Sequence, residues 1–328
     1  MAGRSGLDHL LLAADGGGSK TRLCLLTRKG VLAAEVSVAG VATANEGALP
    51  VRDILRGACG RLLKDAGIPP GRVDGGYFSL GGPNIGEIES ALREIFPGAA
   101  IRIDREANGN WLAVCAPVLG IDAVVMAGTG SVAVGLSDKE MVTTGGWGPV
   151  LDDAGSGYAI GLAAIRAALR MVDGRTPRTP LLEILRTFGC EPATGLDFAA
   201  RMRLRKPLLS LSRREIAGLA PAVFQRARSG DASASAILRQ ASEDLAGLAA
   251  SVACPGARVL GMGGVFASGE SFTARCAEAL KRRRPDAAFV FRTDFDLLKA
   301  ACIMALARAE RPLTEAILRK LKLKTEKE

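Results

Sequence analysis

The sequence has little histidine and few aromatic residues, and it has no long hydrophobic run. His9 is the only histidine, which excludes a multi-histidine zinc site. It precedes the first predicted strand, so we do not expect it to serve a Ser-His-Asp triad or a Cys-His dyad. No apolar run reaches the roughly 18 residues that a membrane-spanning helix needs. The apolar run after His9 is too short for a signal peptide. We therefore expect a cytoplasmic protein without a membrane partner.

The scarcity of aromatic residues also bears on the positive charge of the chain. Aromatic residues make up 4% of the 328 residues, and the formal net charge is +9. Stacking platforms for single-stranded bases are therefore scarce, and the basic runs at 203–206, 281–284 and 319–324 lie far apart in the sequence. The positive charge can instead serve to attract a small anionic substrate. Because the aromatic residues are few and the basic runs are scattered, we do not expect a nucleic-acid partner.

The cysteines do not form a recognisable framework. There are seven of them, an odd number, and no C-x-x-C occurs. This pattern disfavours a disulfide scaffold and a zinc ribbon. Several, such as Cys24 and Cys302, lie in apolar stretches, which predicts buried, reduced thiols.

The pattern of strand, glycine-rich turn and strand occurs twice. The two turns, at residues 15–20 and 128–131, lie about 110 residues apart, and this similarity predicts two related α/β domains. The other predicted strands are 31–38, 75–80, 100–103, 258–261 and 288–292. The predicted helices are 51–66, 85–96, 107–116 and 295–309, with a mostly helical region between 156 and 251.

The first glycine-rich motif reads D-G-G-G-S-K-T and spans residues 15–21. Its three glycines let backbone N–H groups approach an anion, and Ser19 and Lys20 add a hydroxyl and a cation. Asp15 is suited to hold Mg²⁺ through water. The motif is not a Walker A loop, because it opens a strand and not a helix. The alternative is an ordinary glycine-rich hairpin.

Two further motifs place glycines directly after predicted strands. A-G-T-G-S, at residues 127–131, holds the same place in the second repeat as the first motif does in the first. It lacks the third glycine and the following helix of a Rossmann fingerprint. G-M-G-G-V-F-A-S, at residues 261–268, has a Gly-Gly step that lets a phosphate or a flat ring approach the backbone. A plain turn is the alternative for this last motif.

A tryptophan-containing loop, G-G-W-G-P-V-L-D-D-A-G-S-G, spans residues 145–157. Trp147 offers a flat apolar face that suits a sugar ring, and Asp152 and Asp153 can accept hydrogen bonds from hydroxyl groups. The alternative is a core tryptophan beside a turn.

Asp104 directly follows the predicted strand at 101–103. A carboxylate at the end of a strand in an α/β domain faces the usual ligand crevice. Asp104 is therefore a candidate general base, and a helix N-cap is the alternative.

Together, these motifs resemble the BadF/BadG/BcrA/BcrD ATPase family, and within it the N-acetylglucosamine kinase-like branch of the actin, sugar kinase and Hsp70 superfamily. The resemblance runs from about Asp15 to about Ala309. It implies two RNase H-like domains, at 1–117 and 118–295, with a nucleotide cleft between them and a helical insertion in the second. A helix at about 296–311 would pack back on the first domain, and a charged tail would occupy 312–328.

The resemblance implies roles for individual residues. The nucleotide-binding set it implies is Asp15, Gly16, Gly17, Gly18, Ser19, Lys20, Gly128, Thr129, Gly130, Ala227, Gly263 and Gly264. The substrate-binding set is Asn45, Asp104, Ser131, Gly146, Trp147 and Asp153. Asp104 matches the catalytic base. The family's G-D-E-G-S reads D-D-A-G-S here, so Ala154 stands where the family has glutamate.

The implied function is an ATP-dependent, Mg²⁺-assisted carbohydrate kinase that phosphorylates an amino sugar or a hexose, N-acetylglucosamine-like, at O6. We allow for a homodimer. One alternative is a partner-driving ATPase like the activators of 2-hydroxyacyl-CoA dehydratases, which hold an iron–sulfur cluster with cysteines. The other is a non-catalytic sugar sensor, which the replacement of glutamate by Ala154 suggests.

Overall fold

The chain forms two compact units. Unit 1 comprises Met1–Gly120 and Thr293–Glu328, and unit 2 comprises Ile121–Arg292. The boundaries expected from the sequence, after residues 117 and 295, lie close to these. The computed structural model describes residues 9–17, 20–41, 50–80, 84–105, 109–137, 140–189, 191 and 197–323.

The elements of the described residues are numbered along the chain. The strands are β1 (Leu10–Gly16), β2 (Lys20–Thr27), β3 (Leu32–Ala39), β4 (Val73–Leu80), β5 (Ala100–Arg105), β6 (Ala123–Ala127), β7 (Ser131–Ser137), β8 (Glu140–Gly145), β9 (Arg258–Met262) and β10 (Ala288–Phe291). The helices are α1 (Val51–Ala66), α2 (Ile85–Ile95), α3 (Asn110–Leu119), α4 (Gly157–Val172), α5 (Phe198–Leu209), α6 (Arg213–Ala217), α7 (Ala220–Arg228), α8 (Ala232–Val252), α9 (Glu270–Arg283), α10 (Leu297–Arg308) and α11 (Glu315–Lys320). Short 3₁₀ helices lie at Pro70–Arg72, Pro180–Phe188 and Phe266–Ser268. None of these helices combines the length and the apolar run that crossing a bilayer requires.

The sheet of unit 1 has the strand order β3-β2-β1-β4-β5. The first three strands form an antiparallel meander, and β4 and β5 extend the sheet in parallel with β1. Alternate residues of β1, among them Leu10, Leu12 and Ala14, belong to the core that includes α1 and α2. Because neighbouring side chains alternate between the faces of a strand, Ala13 and Asp15 point to the other face. Helix α10 packs on β1 and β4 and against α3.

The sheet of unit 2 repeats this topology. Its order is β10-β9-β6-β7-β8, with an antiparallel meander of β6, β7 and β8 and with β9 and β10 parallel to β6. Buried residues of β6, α4, α8 and α9 share one hydrophobic core. The predicted α/β class and the predicted internal repeat are therefore confirmed.

Several elements differ from the prediction, among them β8, α3 and α10. Strand β8 was not predicted, because it is a short edge strand whose residues are mostly exposed or half-buried. Helix α3 runs through Pro117 and ends at Gly120, which adopts the left-handed conformation. Helix α10 begins after Asp296, whose carboxylate accepts a hydrogen bond from Lys299 N at 2.9 Å.

The charged C-terminal segment, for which the sequence predicts a helical or frayed tail, is partly helical and packs on the rest of unit 1. It contains α11, and Leu318, Leu321 and Leu323 are buried in unit 1. Ile317 lies against the turn between β2 and β3, because its Cγ2 is 3.0 Å from where a Cβ of Gly30 would stand. The basic residues of the segment hid this apolar stripe in the sequence.

Candidate functional site

Three polar side chains form a row across the carboxyl ends of the parallel strands of unit 1. Asp15 of β1 is in register with Ser79 of β4, and Ser79 is in register with Asp104 of β5. Residues in register on neighbouring strands project from the same face of the sheet. The row therefore places two carboxylates and a hydroxyl where α/β domains bind their ligands.

Asp104 is a buried carboxylate that is fixed by an arginine on its own strand. Arg102 Nε donates to Oδ1 of Asp104 at 2.9 Å, and Arg102 Nη2 forms an ion pair with the same oxygen at 2.8 Å. Asp104 lies within β5, so the expectation that it follows the strand was wrong; the strand continues because the pairing with β4 extends to Arg105. The N-cap of α3 is Gly109, so Asp104 does not cap that helix.

Two buried residues near Asp104 were not anticipated from the sequence. The Oγ atom of Ser79 is buried and has no hydrogen-bond partner among the described residues. Tyr77 lies two residues before Ser79 on the same face of β4, and burial together with the nearby Asp104 carboxylate raises the pKa of its hydroxyl. An unpartnered hydroxyl beside a carboxylate is suited to bind a polar ligand.

The first glycine-rich turn joins β1 to β2. Gly16 ends β1, Gly17 N donates to Lys20 O at 3.0 Å, and Lys20 opens β2 with an exposed side chain. The other predicted residues of this unit, Gly18, Ser19 and Asn45, lie outside the described residues.

The second glycine-rich turn joins β6 to β7 and is held by helix α4. Gly128 N donates to Gly130 O at 2.9 Å across the turn. The first residues of α4 donate to its carbonyl groups, Gly157 N to Gly128 O at 2.8 Å and Tyr158 N to Thr129 O at 3.2 Å. The position of this turn is therefore coupled to the position of α4.

The Gly-Gly step after β9 lies against the second glycine-rich turn. Val265 N donates to Ala127 O at 3.1 Å. Gly263 has φ 104, and a Cβ there would overlap the Ala127 carbonyl oxygen, whereas a Cβ on Gly264 would have open space around it. The structure thus brings the predicted phosphate and adenosine motifs of unit 2 together.

Ala227 is linked to the same region through its neighbour. It lies on α7, half-buried against the core of unit 2. The next residue, Arg228, donates from Nη1 to Ser268 O at 3.1 Å, and Ser268 Oγ donates to Gly264 O at 2.9 Å.

The tryptophan loop follows β8 and reaches Ser131. Gly146 N donates to Ser131 O at 2.9 Å. Trp147 is 72% exposed, so the alternative of a core tryptophan was wrong. The buried tryptophan is Trp111 of α3. The indole face of Trp147 is therefore available to a ligand.

Asp153 is buried in the turn that precedes α4, with φ 58. Its Oδ2 accepts from Arg213 Nη2 at 2.6 Å, and its Oδ1 accepts from Ser131 N at 3.4 Å. Ser131 Oγ donates to Ala154 O at 2.7 Å, and Ala154 N donates to Asp152 Oδ1 at 3.2 Å. The backbone of Ala154 thus stabilises the turn. Arg213 was missed because it lies 60 residues away in the sequence.

The carboxylates of unit 1 fit a hydrated magnesium ion better than a protein-enclosed one. The described residues contain no cluster of three or more His, Cys, Asp or Glu that could enclose a metal. Mg²⁺ usually keeps several waters and binds through one or two carboxylates and the substrate phosphates. Asp15, half-buried at the end of β1 and in the same row as Asp104, fits this kind of coordination.

The described cysteines do not form an exposed ligand pair. Five of the six are buried, and Cys254 is partly buried. Burial raises the pKa of Cys59 and of Cys276 to about 12. Cys24 and Cys302 approach each other within 3.4 Å, Sγ to Sγ, inside unit 1.

Relatives with assigned names match less than half of this chain. It is 33% identical over 129 residues to an N-acetylmuramic acid/N-acetylglucosamine kinase of Clostridium acetobutylicum, covering 37% of this chain and 39% of that protein. It is 33% identical over 140 residues to an N-acetyl-D-glucosamine kinase of Dictyostelium discoideum, covering 39% and 40%. The chain thus spans about two fifths of the length of the curated relatives it matches.

The fold is similar over a much larger share of the chain. The crystal structure of a candidate N-acetylglucosamine kinase from Chromobacterium violaceum matches with a TM-score of 0.71 and 23% identity, covering 91% of this chain and 99% of that one. This similarity supports the two-domain fold. The model of the BadF/BadG/BcrA/BcrD ATPase family matches residues 14–283. The protein is therefore a member of the BadF/BadG/BcrA/BcrD ATPase family.

Proposed function

We propose that the protein is an ATP-dependent kinase that phosphorylates an amino sugar or a hexose of the N-acetylglucosamine type. The observation that carries the proposal is the row of Asp15, Ser79 and Asp104 at the carboxyl ends of three parallel strands. In this row, Asp15 is suited to bind a hydrated cation, and Asp104 is suited to bind a hydroxyl group and accept its proton. The names of the relatives support a sugar as the acceptor.

Asp104 is the general base of this proposal. The sugar hydroxyl, expected to be O6, forms a bond to the terminal phosphorus of ATP. The bond from that phosphorus to the bridging oxygen breaks, and ADP leaves with that oxygen. Asp104 accepts the hydroxyl proton. Arg102 holds one carboxylate oxygen of Asp104, so the side chain keeps one orientation during the transfer.

The glycine-rich turns bind the nucleotide in this proposal. Backbone N–H groups of these two turns bind phosphate oxygens, other than those of Gly17 and Gly128, which donate to Lys20 O and Gly130 O within the turns. Lys20 adds a positive charge. Gly263, Gly264 and Ala227 accommodate the adenosine. Asp15 holds Mg²⁺ through water, and the ion would neutralise charge on the phosphates.

The sugar-binding residues of this proposal are those that the family resemblance implies. Asn45, Asp104, Ser131 and Gly146 provide polar contacts, and Trp147 covers an apolar face of the ring. Asp153 belongs to the same loop, although both of its oxygens are engaged within the protein.

A homodimer is part of the proposal, and sedimentation velocity tests it directly.

The proposal is tested by coupled ADP release with Mg-ATP and a panel of sugars. The panel contains N-acetylglucosamine, glucosamine, N-acetylmuramic acid, N-acetylmannosamine and glucose. We expect ADP release to depend on one of these sugars. We expect Asp104→Asn to lower kcat by about 100- to 10,000-fold, while Asp65→Asn, an exposed acid on α1, leaves it unchanged. Near-normal turnover in Asp104→Asn would contradict the assignment of the base.

Two other outcomes would favour the alternatives. ADP release that is independent of every sugar would indicate an ATPase that drives a partner. Binding of sugar and nucleotide without any ADP release would indicate a sensor. The structure favours the kinase over the sensor, because Asp104 is a buried acid held by a dedicated arginine.

A further inference from the structure

Arg213 and Asp153 form an asymmetric ion pair in unit 2. The Asp153 side chain is 2% exposed and the Arg213 side chain 41% exposed. Both oxygens of Asp153 have partners within the protein, Arg213 Nη2 and Ser131 N. The Asp153 carboxylate therefore presents almost no surface to solvent. The exposed partner of this pair is the arginine.

Several contacts fix the position of Arg213 at the start of α6. It is the first residue of α6, after Ser212, which forms a capping box with Glu215: Ser212 Oγ accepts from Glu215 N at 3.2 Å, and Glu215 Oε2 accepts from Ser212 N at 2.8 Å. Helix α6 lies directly on α4 at Gly161, where a Cβ would overlap the Ile216 carbonyl oxygen. Helix α4 in turn holds the turn at residues 128–130.

The guanidinium of Arg213 lies against that glycine-rich turn. A Cβ on Gly130 would overlap Nη2 of Arg213 and would lie 2.8 Å from Oδ1 of Asp153. A side chain at this position would displace the guanidinium from the turn. A guanidinium has several N–H donors, and Asp153 engages one nitrogen. The remaining donors have the planar geometry that suits two oxygens of one phosphate group.

We propose that Arg213 binds the terminal phosphate of ATP during transfer, and that Asp153 serves to hold the arginine in place. This inference rests on the proposed kinase function. As the oxygen of the sugar bonds to the terminal phosphorus and the bond to ADP breaks, charge builds on the oxygens that surround that phosphorus. A fixed guanidinium stabilises this charge without having to reorganise. Arg213 is thus a catalytic residue, and Asp153 is a positioning residue.

The test compares Arg213→Gln with Arg214→Gln, an exposed arginine one residue further along α6. We expect Arg213→Gln to lower kcat by about 100- to 1,000-fold, with less than about a threefold change in the KM of the sugar. Arg214→Gln should behave as the wild type. Added guanidinium ion should restore part of the activity of Arg213→Ala, and Asp153→Asn/Arg213→Gln should be no slower than Arg213→Gln alone.

A binding measurement tests the same inference without turnover. Calorimetry is carried out with Mg-ADP and with a non-hydrolysable Mg-ATP analogue. We expect Arg213→Gln to weaken binding of the analogue about tenfold and to leave ADP binding within about threefold. Equal weakening of both nucleotides with a lowered melting temperature would overturn the inference, because it would indicate a structural role. A raised sugar KM with unchanged kcat would also overturn it.

These readouts separate the inference from the proposed function. Suppose that the wild-type protein releases no ADP with any sugar, while Arg213→Gln binds the ATP analogue more weakly and ADP as before. The kinase proposal then fails, and the contact between Arg213 and the terminal phosphate stands. If the wild-type protein is a sugar kinase and Arg213→Gln keeps its kcat and its analogue affinity, the kinase stands and the role of Arg213 is refuted.

Discussion

Gly161 is the point where helix α4 supports the short helix that carries Arg213. A methyl group added there would overlap the carbonyl oxygen of Ile216 and would lie 2.8 Å from its carbonyl carbon. Both are backbone atoms, so no side-chain rotation relieves the overlap. Gly161→Ala therefore requires α6 to move away from α4.

The expected magnitude combines two opposing effects. Overpacking a buried contact costs about 1–3 kcal/mol, while replacing glycine by alanine inside a helix gains about 1 kcal/mol. We expect Gly161→Ala to lower the free energy of unfolding by up to about 2 kcal/mol. Gly247 lies in the interior of α8 with open space where a Cβ would stand, so Gly247→Ala should raise this free energy by about 0.5–1 kcal/mol.

Urea unfolding followed by circular dichroism gives both free energies, and coupled ADP release shows whether the displaced helix affects turnover. We expect Gly161→Ala to lower kcat, because Arg213 moves with α6, and Gly247→Ala to retain it. The reasoning would be refuted if Gly161→Ala were as stable as Gly247→Ala. It would equally be refuted if Gly161→Ala were destabilised but kept full kcat.

Two further predictions concern charged groups. Arg102→Gln removes both contacts to Asp104 Oδ1. Because the Asp104 carboxylate then loses its fixed orientation, kcat should fall roughly 10- to 100-fold. A lowered kcat in steady-state kinetics, with unchanged stability of the protein, would confirm this, and an unchanged kcat would contradict it. Burial raises the pKa of Asp244 on α8, so its ionised form opposes folding above that pKa. Asp244→Asn keeps an acceptor for Gln240 and should raise the free energy of unfolding at pH 7. The increase should vanish near pH 3, where Asp244 is protonated in both the folded and the unfolded state. An increase that persists at pH 3 would contradict this.

The sequence predicts features that depend on neighbouring residues. Helix α1 has the predicted bounds, 51–66, and the left-handed Gly67 ends it. The glycine-rich turns lie between paired strands in both units. These features follow from local turn chemistry and from hydrophobic periodicity. Asp104 was placed directly after its strand, whereas it lies within β5, because the pairing with β4 extends the strand to Arg105.

Features that depend on long-range pairing could not be predicted. The row that joins Asp15, Ser79 and Asp104 arises from strand register, which no local pattern specifies. The pairing of Arg213 with Asp153 depends on how α6 packs on α4. An arginine in a polar stretch appears in a sequence as an ordinary surface residue, so its partner emerges only from the fold.

The central claim is that phosphate passes from ATP to a sugar hydroxyl whose proton Asp104 accepts. It is tested most directly by ³¹P nuclear magnetic resonance of a reaction that contains Mg-ATP and N-acetylglucosamine. The account predicts a phosphomonoester coupled to the H6 protons of the sugar, formed in equal amount with ADP by the wild-type protein and absent with Asp104→Asn. Inorganic phosphate without an ester, or an ester formed equally well by Asp104→Asn, would contradict it.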